Sequence, residues 1–213
     1  MERVKRFGVV AIFLFVLAGC GSKQSVPRGS ADYGAAPARC PAKALAGWQR
    51  LANRTGAPVY CPTWLPDPLD GVIGSRWNNI DEVSRDRSYL MSWVWQETGP
   101  GAAGGELHVN LRGYPGHSAI PGCREDEQAG GKRIRKTIPC FSDPQRAKQI
   151  GPYKVTLYTV NRDADQWHLL YAWRRRGSLY TVSEHVAPPF SHTRVLQNLD
   201  RMMRNLVLVS PKG

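Results

Sequence analysis

Apolar positions first fall into a helical rhythm at CPAKALAGWQRLANRTG, residues 40–56, where Ala44, Leu45, Trp48, Leu51 and Ala52 return every three or four residues. Pro41 suits the first turn and Gly56 the stop, so this stretch is predicted to be an amphipathic helix. APVYCPTWLPDPLDG (57–71) is punctuated by prolines, which exclude a helix and leave an extended segment. The rhythm then changes to alternation. SYLMSWVWQ (88–96), GELHVNLRG (105–113; Leu107, Val109 and Leu111 on one face), KRIRKTIPC (132–140; Ile134 and Ile138) and YKVTLYTVN (153–161) read as strands. In the last of these, Val155 and Leu157 are set against Tyr158 and Val160, which implies a register change. QWHLLYAWRRRGSLYTVSEHV (166–186) reads as a hairpin. Trp167, Leu169, Tyr171 and Trp173 share a face of the outgoing strand, and Tyr180, Val182, Glu184 and Val186 a face of the return. Arg174 to Ser178 supply the turn, with Gly177 at a positive φ. After Pro188 and Pro189, Ser191 caps a second predicted helix over 191–209, striped by Val195, Leu196, Leu199, Met202, Met203 and Leu206. The order helix, extended segment, strands, helix predicts an α+β domain over 40–210: a curved antiparallel sheet of five or six strands with an N-terminal and a C-terminal helix packed on it.

Upstream of this domain the pattern is different in kind. Arg3, Lys5 and Arg6 precede an apolar or small run of 13 residues, Phe7 to Gly19. A spanning helix needs about 20 apolar residues, so the run has the length of a secretory signal core. It ends on Leu17-Ala18-Gly19-Cys20, which closely resembles the lipobox of bacterial lipoproteins. The resemblance implies a signal peptide over 1–19, cleavage before Cys20, and a lipid on its thiol that holds the chain on the extracytoplasmic face of a membrane. Residues 20–39, small, polar and rich in Pro and Gly, read as a flexible tether. A looser resemblance joins PVYCPTWLPDPLDG, through Pro62, Trp64, Leu65, Pro66 and Gly71, with Trp173, Gly177, Tyr180 and the final helix. These positions look like a bacterial domain family of unknown function found on lipoproteins and other exported proteins, the DUF4367-like type. It implies an exported accessory module and carries no catalytic residues to transfer.

Composition adds charge and cysteines. The formal net charge is +12, and loss of residues 1–19, with three basic residues and one acid, leaves +10. Such a surface attracts anionic lipid or an acidic envelope polymer; an exported protein rarely meets nucleic acid. Arg133 and Arg135, on one strand face, and Arg174, Arg175 and Arg176, at the hairpin turn, are the candidate contacts. Beyond Cys20 there are four cysteines, Cys40, Cys61, Cys123 and Cys140. An even number in an exported chain reads as disulfides. Of three possible pairings, Cys40–Cys61 with Cys123–Cys140 closes the shortest loops and is favoured. The spacings fit no zinc or redox motif.

Other candidate chemistry is thin. Gly99 to Gly104 matches GxGxxG, but a strand follows where a dinucleotide loop needs a helix. Gly116-His117-Ser118 approaches a nucleophile elbow, yet Ile120 and Pro121 follow. Glu125, Asp126 and Glu127 lack Ca²⁺-loop spacing, and the segment reads as a solvated, disulfide-clamped loop. The five histidines show no HxxxH or HExxH spacing, although His168 and His185 oppose each other across the hairpin. No metal, cofactor or catalytic residue is expected. The leading reading is a non-enzymatic, lipid-anchored envelope lipoprotein that binds a partner or ligand. A carrier of an apolar molecule between sheet and helices and an envelope hydrolase are the alternatives.

Overall fold

The computed structural model describes residues 39–69, 80–160 and 167–212, all within one compact unit, residues 37–213. The predicted signal peptide, Cys20 and the tether up to residue 38 lie outside the described residues.

Helix α1 (Ala42–Thr55) buries Ala44, Trp48, Leu51, Ala52 and Thr55, and ends at Gly56, whose φ of 62° is left-handed. Leu45, expected on the apolar face, points outward and is 44% exposed. Strand β1 (Val59–Pro62) follows. Seven strands then form one antiparallel sheet in the order β2-β3-β4-β10-β9-β8-β7: β2 (Ile80–Val83), β3 (Tyr89–Gln96), β4 (Glu106–Tyr114), β7 (Arg146–Ile150), β8 (Tyr153–Val160), β9 (His168–Arg175) and β10 (Ser178–His185). The sheet is therefore wider than the five or six strands expected. β2 and β7 are its edges, and their polar sequences, IDEV and RAKQI, show no apolar alternation. An edge strand needs only one partner's hydrogen bonds, not a buried face.

The last predicted helix stops early. Helix α2 (His192–Arg204) is capped by the Ser191 hydroxyl, which accepts the Arg194 N–H at 3.3 Å, and is followed by strand β11 (Leu206–Val209). β11 pairs antiparallel with β1, from Val59 opposite Val209 to Pro62 opposite Leu206. The main sheet leaves β1 unpaired, so the LVLV run satisfies β1's backbone groups instead of extending the helix.

One face of the main sheet carries Met91, Trp93, Leu107, Val109, Leu111, Tyr171, Trp173, Tyr180 and Val182. It packs under α1, α2 and the β1–β11 pair in one core. The opposite face holds a smaller cluster: Tyr158, Val160, Leu170, Ala172 and Leu179 with Phe141. β8 contributes Tyr153, Val155 and Leu157 to the first face and Tyr158 and Val160 to the second. Simple alternation with both faces buried thus replaces the expected register change. At Gly113 the partner strand's Tyr89 ring comes so close that a Cβ would sit 2.2 Å from its Cε1. That close approach admits glycine alone.

Both favoured disulfides form. Cys40–Cys61 ties the start of α1 to β1, and Cys123–Cys140 closes the base of a second hairpin. This hairpin, β5 (Gly122–Ala129) and β6 (Lys132–Pro139), is a two-stranded sheet of its own, with β6 exposed along its length except at half-buried Ile138. The segment expected as a solvated loop is thus an arm. Its charges are cross-strand partners: Asp126 accepts from Arg133 and, at 3.1 Å, from Arg135, while Lys136 pairs with Glu127. An isolated two-stranded hairpin is marginal in water, so the arm depends on its base. Replacing Cys123 and Cys140 by Ser is expected to raise amide exchange across 124–138 at least about tenfold. Global stability should fall by less than the about 3 kcal/mol that the chain-entropy account assigns to a loop of this size. Hydrogen exchange with urea unfolding checks it; a full global loss would place the arm inside the cooperative unit.

Candidate functional site

The densest group of chemistry-bearing side chains sits on the sheet face away from the helices. Period two sends the even residues of β4 and the odd residues of β10 to that face, because Val109, Leu111, Tyr180 and Val182 occupy the other. Strand register then builds rows. His185 lies opposite His168, and continuing the Glu184–Val109 pairing by one residue brings His108 to its other side. Val94, opposite His108, and Val160, opposite His168, close the row at its ends. The next row runs Ser92, Asn110, Ser183, Leu170.

The imidazoles of His168 and His185 stack with centroids 5.2 Å apart, and His108 meets His168 edge to face at 5.0 Å. Each ring has its own anchor. Ser92 Oγ lies 2.9 Å from His108 Nε2, Ser183 Oγ lies 3.0 Å from His168 Nδ1, and Glu106 Oε1 lies 3.0 Å from His185 Nδ1. His168 is fully buried and its Nε2 has no hydrogen-bond partner. Burial, and after it the charges of His108, His185 and Arg112, pushes its pKa down to about 3, so it is neutral at ordinary pH.

Neither His168 nor His185 forms a hydroxyl–imidazole–acid chain in this row. Nucleophilic catalysis needs a hydroxyl on one nitrogen of an imidazole and an acid on the other nitrogen of the same ring. His168 has a hydroxyl on one nitrogen and no partner on the other, and His185 has a carboxylate but no hydroxyl. Among the described residues no group of three or more His, Cys, Asp or Glu is arranged to hold a metal ion.

The helix side holds a second unusual group. Glu184 is fully buried beneath α2, where Asn198 Nδ2 donates to its Oε1 at 2.7 Å while Oε2 has no partner. Burial outweighs the hydrogen bond and the charge of Arg194, raising its pKa to about 8. The gap between sheet and helices there, bounded by residues including Leu65, Trp93, Val182 and Met202, has about 180 Å³ of empty volume but no room for a water-sized sphere. It is packed core rather than a ligand chamber.

The residues singled out in the sequence are scattered. Only Arg176 and Gly177, with φ of 49° and 76°, form the hairpin turn; Arg174 and Arg175 are still in β9. Alternation therefore sends them to opposite faces, and the expected fan of three arginines is split. Arg174 Nε donates to the Ser118 carbonyl at 2.7 Å. Arg133 and Arg135 share Asp126, which they hold below its usual pKa, Arg133 foremost. Trp167 precedes β9 and is 61% exposed instead of sharing its core face. Gly99 to Gly104 connects β3 to β4, with Glu97 Oε2 accepting the Ala103 N–H at 2.9 Å, as a hairpin loop should. Ser92, His108, Ser183, Glu184 and Asn198 were not singled out as site residues. The even positions of HVNLR (108–112) and the odd ones of TVSEH (181–185) carried the signal for the polar row.

Comparison with family models, with curated proteins and with solved structures yields no match.

Proposed function

We propose that this chain is an exported lipoprotein, anchored to the extracytoplasmic face of the cell membrane through Cys20, whose folded part is a non-enzymatic binding module. The observation that carries this reading is the pairing of all four cysteines beyond the Leu17-Ala18-Gly19-Cys20 motif into two disulfides, which suits an oxidising compartment. No helix among the described residues is long and apolar enough to cross a membrane, so attachment in this reading falls to the lipid. The filled gap between sheet and helices speaks against a carrier of an apolar molecule. His168, with a hydroxyl but no acid, and His185, with an acid but no hydroxyl, speak against an envelope hydrolase built on those two rings. A projecting arm and a basic surface speak for contact with a partner, among which anionic lipid and acidic envelope polymers fit the charge.

The anchor is tested directly. Cys20→Ala is expected to remain unprocessed or to be released, moving from the detergent phase to the aqueous phase on separation. Unchanged partitioning together with unchanged processing would remove the lipoprotein reading.

A further inference from the structure

A cleft of about 210 Å³ opens beside α1, lined by Gly47, Arg50, Leu51, Arg54 and Asp81. Its walls follow from the fold. Trp48 of α1 packs on Trp93 of β3 with ring centroids 6.2 Å apart, which sets the helix against this end of the sheet. Asp81 of the edge strand β2 stands opposite Met91, a core residue, so its side chain points to the helix side. Arg50 and Arg54 lie one turn apart on the same flank of α1. Gly47, without a side chain, leaves the cleft open one turn earlier, and buried Leu51 forms an apolar wall. The disulfide at Cys40 fixes the start of this helix to β1.

The charges of the cleft are complementary but not joined. Elsewhere in the described residues, four exposed or half-exposed cations close on carboxylates: Arg133 and Arg135 on Asp126, Lys136 on Glu127, Lys148 on Asp200. Arg50, Arg54 and Asp81 line one gap, and none of them has an ion-pair partner among the described residues. Two guanidiniums facing one space are suited to a phosphate ester, which accepts several N–H bonds at once. The carboxylate in the same space disfavours a dianion and suits a group that also carries a cation. The volume is below the about 300 Å³ of the smallest ordinary ligand sites, so the cleft takes a compact group rather than a whole lipid.

We propose that the Arg50–Arg54–Asp81 cleft binds a phosphoethanolamine headgroup, with the phosphate on the two arginines and the ammonium on Asp81. This rests on the anchored reading, which supplies the source: the amine-bearing phospholipid of the membrane that holds Cys20. In sequence, 21 residues separate Cys20 from Ala42. An occupied cleft would orient the domain on the surface rather than recruit it.

The test uses the full chain in a non-ionic, phosphate-free detergent at about 0.15 M salt, where long-range attraction is largely screened. Glycerophosphoethanolamine, glycerophosphoglycerol and inorganic phosphate are each titrated by calorimetry. Glycerophosphoethanolamine is expected to bind tightest of the three, with at least tenfold loss in the double variant Arg50→Ala, Arg54→Ala. Asp81→Asn should weaken glycerophosphoethanolamine severalfold and leave glycerophosphoglycerol unweakened. Both sets of changes are at exposed positions, so the variants should keep the wild-type unfolding midpoint. Absence of binding, or binding that survives the double variant, overturns the site. Equal affinity for inorganic phosphate overturns the headgroup assignment in favour of a free anion. Because the probes are soluble, these results do not depend on acylation of Cys20; failure of the anchor appears in detergent partitioning and leaves the titrations unchanged.

Discussion

Glu184→Gln is expected to raise stability at pH 8 by about 2–5 kcal/mol and to change it little near pH 4. The sign follows from the direction of the shift. The carboxyl titrates near 4.5 in the unfolded chain and near 8 in the folded one. Between those values the folded protein binds a proton that the unfolded chain has lost. Stability therefore falls as pH rises through this window and levels off above it. Glutamine is neutral in both states and removes the slope. Its carbonyl oxygen can still accept the Asn198 N–H, and its amide replaces an Oε2 position that has no partner in the native protein, so no hydrogen bond is lost. His168 acts in the opposite sense: with its folded pKa depressed to about 3, it lowers stability as pH falls from 6.5 toward 3. The two slopes overlap between pH 4.5 and 6.5. The informative quantity is thus the difference between variant and wild type in urea unfolding at several pH values, from which His168 cancels. Parallel profiles would show that Glu184 is ionised in the fold.

Trp173→Ala should cost about 3–5 kcal/mol. Trp173 is 2% exposed. Its ring meets Tyr60 edge to face at 5.3 Å, stacks on Tyr180 at 5.8 Å and tilts against Tyr153 at 5.9 Å. Tyr60 belongs to β1, so this cluster joins the β1–β11 pair to the main sheet, and an alanine leaves a void between layers that cannot collapse without moving a strand. The Trp173 N–H and the Tyr60 hydroxyl are near each other without closing a well-formed hydrogen bond. The loss is therefore almost wholly packing, and Trp173→Phe, which keeps an aromatic face there, should cost under about 2 kcal/mol. Chemical denaturation of both variants decides; a cost below about 1 kcal/mol for alanine would mean that the layers re-pack.

Local periodicity alone determined both helices, apart from the end of the second, six of the strands and most of the main core. Trp48 and Leu51 recur at helical spacing, and Leu107, Val109 and Leu111 at strand spacing, because each element buries one side against the rest. The cysteine count with the shortest-loop choice also led to the observed disulfides. Most elements without a buried stripe were illegible, β6 with its alternating Ile134 and Ile138 excepted. β2, β5 and β7 are polar edges or an exposed arm, held by a neighbour's backbone and, in β5, by cross-strand charges. LVLV at 206–209 suits a helix or a strand equally, and only the unpaired β1 decided between them. The candidate sites were further from reach. His108 and His185 stand on strands 77 residues apart in the chain, and their row exists only once β4 and β10 are in register. Glu184 was visible on an apolar face, but its burial, and with it the raised pKa, depends on α2 folding back to set Asn198 over it. Arg50 and Arg54 were legible as a helix flank; that they share a cleft with Asp81 is a consequence of where a polar edge strand was laid down. Periodicity is a property of neighbours along the chain, whereas charge complementarity across a gap is a property of segments that meet only in three dimensions.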